Sequence, residues 1–175
     1  MGGCRNCGAA LPDGARFCPA CGTPTAATPA AEERKLVTVL FADVVGSTSL
    51  GEQLDAERLK EVMDSYFGAM REEIESTGGT VEKFIGDAVM AVFGVPVAHE
   101  DDPARALRAA LQMRERLALL NAALTASHGV ALEMRIGINS GEVLAVTEPR
   151  PGEAMVAGDT VNVAARLQQT AEPGQ

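Results

Sequence analysis

The run LVTVLFADVV, residues 36–45, constrains this chain more than any other stretch. Its Val, Leu and Phe residues follow one another almost without a polar break, which predicts a buried strand at about 35–43. Packing gives no reason for an acid at Asp43, nor for the small and hydroxyl residues Gly46-Ser47-Thr48 just beyond it. A strand that ends on a carboxylate and turns through small residues offers a charge, and backbone N–H groups at the start of a helix, to something outside the core.

Downstream, Leu59, Val62, Met63, Tyr66, Phe67, Met70 and Ile74 recur at i, i+3, i+4, i+7 and predict an amphipathic helix that stops at Thr77-Gly78-Gly79. The segments TVEKF and AVMAVFG flank the tip Ile85-Gly86-Asp87, a two-strand hairpin signal. A second long helix starts near Asp102-Pro103, with apolar positions that include Leu107, Leu111, Leu117, Leu120 and Leu124. LEMRIGI reads as a strand and GEVLAV as another beyond a turn at Asn139-Ser140-Gly141. PRPGE is a turn-rich loop, and a short strand around Met155 leads through Gly158-Asp159 into a helix holding VNVAARLQQ. The order β-α-β-β-α-β, with further β and α, predicts an α+β fold of the ferredoxin-like palm type with helices packed on one face. Because the chain ends directly after a helix, where such a sheet normally gains a strand, an incomplete domain is expected. Tyr66 and the Met63/Met70 stripe are assigned to the core, and His99 and His128 to a loop and a helix end.

A different organisation governs the N-terminus. All four cysteines fall in CRNCGAALPDGARFCPACG as Cys4-x-x-Cys7 and Cys18-x-x-Cys21, ten residues apart, each pair followed by glycine. Zinc takes four tetrahedral ligands, and two such knuckles supply four thiolates without a large core, so residues 1–22 read as a zinc ribbon with one structural Zn²⁺. Residues 23–33, TPTAATPAAEE, read as a linker, and 34–175 as the main domain. Acids outnumber bases 24 to 15 for a net charge of −9, almost all of it in the main domain. That balance argues against nucleic acid as the partner, and the ribbon, with only Phe17 to stack, is given a structural or protein-docking role. No segment resembles a membrane span or secretory signal, so the expected compartment is the cytoplasm.

Asp43 at a strand end and Asp87 at a hairpin tip can meet at one edge of such a sheet. Paired carboxylates suit hard divalent cations and phosphate chemistry. On the motifs FADVVGST, EKFIGDAVMAVFG, MRIGINSGEV and GDTVNVAARL, in that order and spacing, residues 34–175 resemble the catalytic domain of a class III adenylate/guanylate cyclase, closest to bacterial members that carry an N-terminal zinc ribbon. The resemblance implies conversion of ATP to 3′,5′-cyclic AMP and pyrophosphate, with two Mg²⁺ or Mn²⁺ ions held by Asp43, Asp87 and the carbonyl of Val44. It further implies a triphosphate cradled by Val45, Gly46, Ser47 and Thr48, a purine read by Lys83 and by the residue at Met155, a ribose oriented by Asn162, α-phosphate charge stabilised by Arg166, and Arg135 near the phosphates. The metal residues of one subunit would work with Lys83, Asn162 and Arg166 of another, which implies a homodimer with two shared sites.

At the position of Met155 the family usually has aspartate or threonine. Methionine packs on a purine but offers no strong hydrogen bond, so GTP stands beside ATP as a candidate substrate. Two other readings compete: a diguanylate-cyclase-like palm enzyme, whose hairpin signature Phe84-Ile85-Gly86-Asp87 does not match, and a degenerate cyclase serving as a dimerisation or nucleotide-sensing module. The chain also ends before the family's phosphate-binding lysine, so weak or absent turnover is expected of these 175 residues alone.

Overall fold

The computed structural model describes residues 3–4, 6–12, 15, 17–23, 32–146 and 154–175. Most of the segment read as a linker and the PRPGE loop lie outside the described residues, as does the side chain of Thr48. The chain divides into two compact units, 1–31 and 32–175.

The larger unit runs β1 (Glu32–Val45), α1 (Ser47–Gln53), α2 (Ala56–Ser76), β2 (Thr80–Ile85), β3 (Ala88–Phe93), α3 (Asp102–His128), β4 (Glu133–Val146), β5 (Val156–Ala157) and α4 (Asp159–Thr170). Its five strands form one antiparallel sheet in the order β2-β3-β1-β4-β5. β1 is therefore the middle strand, and it starts at Glu32, inside the segment read as linker. Its alternate side chains separate two cores. Leu40, Ala42 and Val44 join Val62, Tyr66, Met70 and Ile74 of α2 and Ala106, Ala109 and Met113 of α3. Val37, Val39 and Phe41 join Val143, Val156 and Ala164 on the other side. Burial on both faces is why the strand reads as a continuous apolar run, each large side chain stabilising the fold by about 1.5–3 kcal/mol.

The expectation of helices on one face is thus corrected. α2 and α3 cover one face, whereas α4 lies on the opposite one, through Val161, Ala164 and Ala165. Close approach is what permits this. A Cβ on Gly137 would stand 2.2 Å from the Gln168 nitrogen and 2.4 Å from the Ala164 oxygen, and one on Gly141 would stand 2.5 Å from Thr160 Oγ1. These glycines are backbone-contact positions for α4. The turn expected at Asn139-Ser140-Gly141 is likewise absent: β4 runs straight through it, with Asn139, Ser140 and Gly141 paired to Val39, Thr38 and Val37. The Thr38 and Ser140 hydroxyls bond across the ladder at 2.8 Å. Tertiary pairing overrides a turn-like tripeptide here.

In α2, Asp55 caps the N-terminus by accepting from the Arg58 N–H at 2.9 Å. In α3 the buried stripe is Ala106, Ala109, Met113, Leu117 and Leu124. Leu107 and Leu111, read from sequence as apolar-face positions, are instead 58% and 59% exposed, and with Ile136 and Ile138 they line an open apolar cavity. Tyr66 and Met70 are fully buried, Met63 packs against the same core, and His99 and His128 occupy a loop and the end of α3.

The smaller unit holds Cys4, Cys7, Cys18 and Cys21 with their sulfurs all within 4.8 Å of one another and no disulfide. Its two knuckles are built alike. The Gly8 N–H donates to the Cys4 carbonyl at 2.9 Å and the Gly22 N–H to the Cys18 carbonyl at 2.8 Å, with Gly8 and Gly22 at φ 74 and 72. Those left-handed angles are why each Cys pair is followed by glycine.

Candidate active site

Asp43 lies near the C-terminal end of β1, paired with Ala88 of β3 on one side and Arg135 of β4 on the other. Asp87 is the residue before Ala88, in the two-residue turn Gly86-Asp87. Gly86 adopts φ 63, the positive angle that two-residue hairpins demand. The register alone therefore brings the two aspartates to the same end of the sheet, 44 positions apart in sequence.

Their surroundings differ. Asp43 Oδ2 accepts from Arg135 Nη2 at 3.0 Å and from Gln168 Nε2 of α4 at 3.1 Å, and Arg135 Nη1 reaches the Gln169 carbonyl at 3.5 Å. Its side chain is 19% exposed. Asp87 has no hydrogen-bond or ion-pair partner among the described residues. Both carboxylates act on one more group. Burial, together with the negative charge of Asp43 and of Asp87, pushes the Tyr66 phenol well above its ordinary value, and the Tyr66 hydroxyl is buried without a hydrogen-bond partner. Asp43 and Asp87 are thus each within electrostatic reach of Tyr66. Two carboxylates, one lacking any counter-charge, are an oxygen-donor set that fits a hard divalent cation completing its shell with water or phosphate. Among the described residues the four cysteines are the one cluster of three or more metal-ligating side chains, so the aspartates would share any cation with non-protein ligands.

The turn after Asp43 is tight. Gly46 caps α1 at φ 73 with no side-chain cap bond, and Ser49 Oγ donates back to the Gly46 carbonyl at 2.7 Å. A cavity of about 210 Å³ opens beside it, lined by Val45, Gly46, Ser49, Gln53 and Gly129 among others, though neither aspartate borders it. Val44 is buried.

The remaining sequence candidates sit elsewhere in the same unit. Lys83 is on β2, 46% exposed, with its ammonium 3.6 Å from Glu82 Oε1. Asn162 and Arg166 are exposed on α4, four positions apart on one face, and their side chains have no partner among the described residues. Met155 packs at the edge of the α4-side core, its carbonyl accepting from the Val146 N–H at 2.8 Å. The geometry brings Asp43, Asp87 and Arg135 together. It leaves Lys83, Asn162 and Arg166 facing outward, with no bond to either aspartate.

Gln168 and Tyr66 escaped the sequence reading as site residues. For Gln168 a signal existed: Val161, Ala164, Ala165 and Gln168 follow i, i+3, i+4, i+7, which puts a polar side chain on the apolar face of α4. Tyr66 carried none, since a tyrosine in an apolar stripe reads as core.

Residues 30–175 match the adenylate and guanylate cyclase catalytic domain family, and residues 4–25 match the zinc-ribbon domain family. Over 77% of this chain the sequence is 34% identical to adenylate cyclase 1 of Rhizobium meliloti (strain 1021), of which it spans 21%. Among solved structures, the guanylyl cyclase Cya2 superposes with a TM-score of 0.77 at 34% identity, over 82% of this chain and 74% of that one. The adenylyl cyclase CyaB from P. aeruginosa gives 0.77 at 33% identity, over 82% and 76%. No helix among the described residues is long and apolar enough to cross a membrane. With the sheet, the paired aspartates and the cysteine knuckles in place, the chain belongs to the class III adenylyl/guanylyl cyclase catalytic domain family and carries a zinc ribbon ahead of that domain.

Proposed function

We propose that this chain is a nucleotidyl cyclase acting on ATP, in which the ribose 3′-oxygen attacks the α-phosphorus, the bond to the β-phosphate breaks and pyrophosphate leaves. The observation that carries the reading is the convergence of Asp43 and Asp87 at one sheet end, while Asn162 and Arg166 stand unpartnered on α4. Asp43, Asp87 and the Val44 carbonyl would hold two Mg²⁺ or Mn²⁺ ions, which supply charge neutralisation for the triphosphate and a lowered pKa for the attacking hydroxyl. Asp43 is kept oriented by Arg135 and Gln168. Backbone N–H groups at Val45, Gly46, Ser47 and Thr48 receive phosphate oxygens, and Arg135 adds a cation beside them. Asn162 orients the ribose, and Arg166 stabilises the charge that develops on the α-phosphate. Lys83, a donor without acceptor capacity, suits the ring N1 of adenine, whereas Met155 contributes only apolar contact to the base.

Asn162, Arg166 and Lys83 make no contact with the aspartates of their own chain, which supports a homodimer whose two sites each draw on both subunits. Four unpaired thiols fit a reducing compartment and one Zn²⁺, in keeping with a cytoplasmic protein. GTP is the second substrate candidate, favoured by the resemblance to Cya2.

The test is incubation of the full-length protein with ATP and with GTP in Mn²⁺, comparing the wild type with Asp43→Ala. Cyclic AMP formation that falls at least about 100-fold in the variant is the expected result, because the change removes a metal ligand outright. Cyclic GMP alone would move the reading to the guanylyl enzyme. No cyclic nucleotide from either substrate would overturn it in favour of a non-catalytic module.

A further inference from the structure

One buried acid has no part in this chemistry. Glu82 lies on β2 at a break in register, where Val81 pairs with Ala91 and Lys83 with Met90, so Glu82 is an extra residue that faces no partner on β3. Val81 and Phe84 both pack on the α2/α3 core, three positions apart, which a regular strand would forbid because its side chains alternate. The bulge absorbs the odd residue and sends Glu82 to the α4 face alongside Lys83. There its side chain is only 4% exposed. Oε1 accepts the Met155 N–H at 3.1 Å and stands 3.6 Å from the Lys83 ammonium, while Oε2 is buried with no partner.

Two aspects of this contact matter. β2 and β5 are the two edge strands of the sheet, yet the residue just before β5 comes within hydrogen-bond distance of β2, and one carboxylate joins them. The two groups it joins are the two that the proposed function assigns to the purine. A buried carboxylate is costly unless bonded, and here both of its bonds go to those groups.

We infer that Glu82 is a positioning residue for the purine-reading edge: its carboxylate fixes the Lys83 ammonium and the Met155 backbone relative to each other, and through them sets purine affinity and choice. The inference rests on the cyclase reading for its ligand. Met155 offers the base no hydrogen bond, so discrimination falls on Lys83, and a lysine on a flexible stem discriminates only if something holds its head group. Glu82 supplies that hold.

The experiment compares Glu82→Ala and Glu82→Gln with the wild-type full chain, at a temperature where circular dichroism shows all three folded. Steady-state rates with ATP and GTP in Mn²⁺ are paired with calorimetric titration of each nucleotide in Ca²⁺. Expected for E82A is a KM for ATP raised about tenfold with kcat changed less than about threefold, the ATP-to-GTP ratio of kcat/KM moving about fivefold toward unity. Weaker ATP binding should parallel the KM. E82Q keeps an acceptor for the Met155 N–H but loses the ion pair with Lys83, so it should fall between the two. Unchanged KM, affinity and selectivity in E82A would overturn the inference, as would losses confined to kcat; if E82A does not fold, the same outcomes in E82Q decide. Should the wild type bind ATP without turnover while E82A loses that binding, the proposed activity fails and the positioning role stands. A wild type that binds neither nucleotide overturns both.

Discussion

Asp43 is oriented by two neighbours of different kinds, a guanidinium from the adjacent strand and an amide from the helix above the sheet. Arg135 contributes charge, whereas Gln168 contributes direction only. Replacing Gln168 by Leu keeps the volume in a buried position and removes only the bond to Oδ2, so the carboxylate is freed to rotate. The expected consequence is a cyclase whose apparent affinity for Mn²⁺ falls about 10–100-fold, the usual cost of losing an outer-shell partner, measured as the metal concentration giving half-maximal rate. Arg135→Ala should be harsher, since it leaves Asp43 without its cation and, on the proposed function, the phosphates without a donor. Its signature is a higher KM for ATP as well as a weaker metal response.

At the scale of elements, α4 is where the sheet is most exacting. Gly137 lets the helix backbone settle directly on β4, and that closeness is what brings Gln168 within reach of Asp43. Gly137→Ala places a methyl against backbone atoms that cannot rotate away, and a loss of about 1–3 kcal/mol is expected from urea unfolding, as for an overpacked core. Gly141→Ala meets a threonine side chain that can turn, so its loss should be smaller. These elements also mark what the sequence made legible. The apolar run of β1, the α2 stripe and the Gly86-Asp87 turn were all visible, because local periodicity and turn chemistry agree with the final structure. Asn139-Ser140-Gly141 misled because its composition is that of a turn while its conformation is imposed by pairing with β1. Leu107 and Leu111 of α3 misled because leucines outweigh alanines in any hydrophobicity pattern, yet Ala106 and Ala109 are the buried residues of that half of the helix, whereas Leu117, Leu120 and Leu124 pack on the core as read. The acids of the site were legible as a pair. What oriented them was not, since the periodicity of α4 puts Gln168 on its apolar face but does not say that this face meets Asp43, 125 positions away.

For the molecule as a whole, a homodimer with shared sites makes a demand that a self-contained monomer does not. Asp43→Ala chains and Asn162→Ala/Arg166→Ala chains should each be inactive alone, and mixing them after partial unfolding should restore activity. Half of the reassociated dimers would be mixed, each with one site spared, so recovery of about one quarter of the wild-type rate is expected. No recovery in an equimolar mixture, with mixed dimers shown by mass spectrometry, would place each site within one chain. The ribbon makes a separate demand: its four sulfurs define one metal, so a chelator should release one zinc per chain, and Cys4→Ser or Cys18→Ser should bind substantially less.

The bulge in β2 bears on how such a strand can vary in length. Register is regular on both sides of Glu82, so the ladder is one residue longer than its hydrogen bonding requires. Deleting that residue would leave Val81 opposite Ala91 and Lys83 opposite Met90 as next-door pairs, every side chain keeping its face. A chain one position shorter is therefore expected to keep the hairpin's register and to melt lower only by the loss of the buried Glu82 bond to Met155, whereas deleting Phe84 would remove a core side chain as well. Loss of a residue at this one point leaves the pairing of the ladder intact and gives up only the carboxylate that joins Lys83 to Met155.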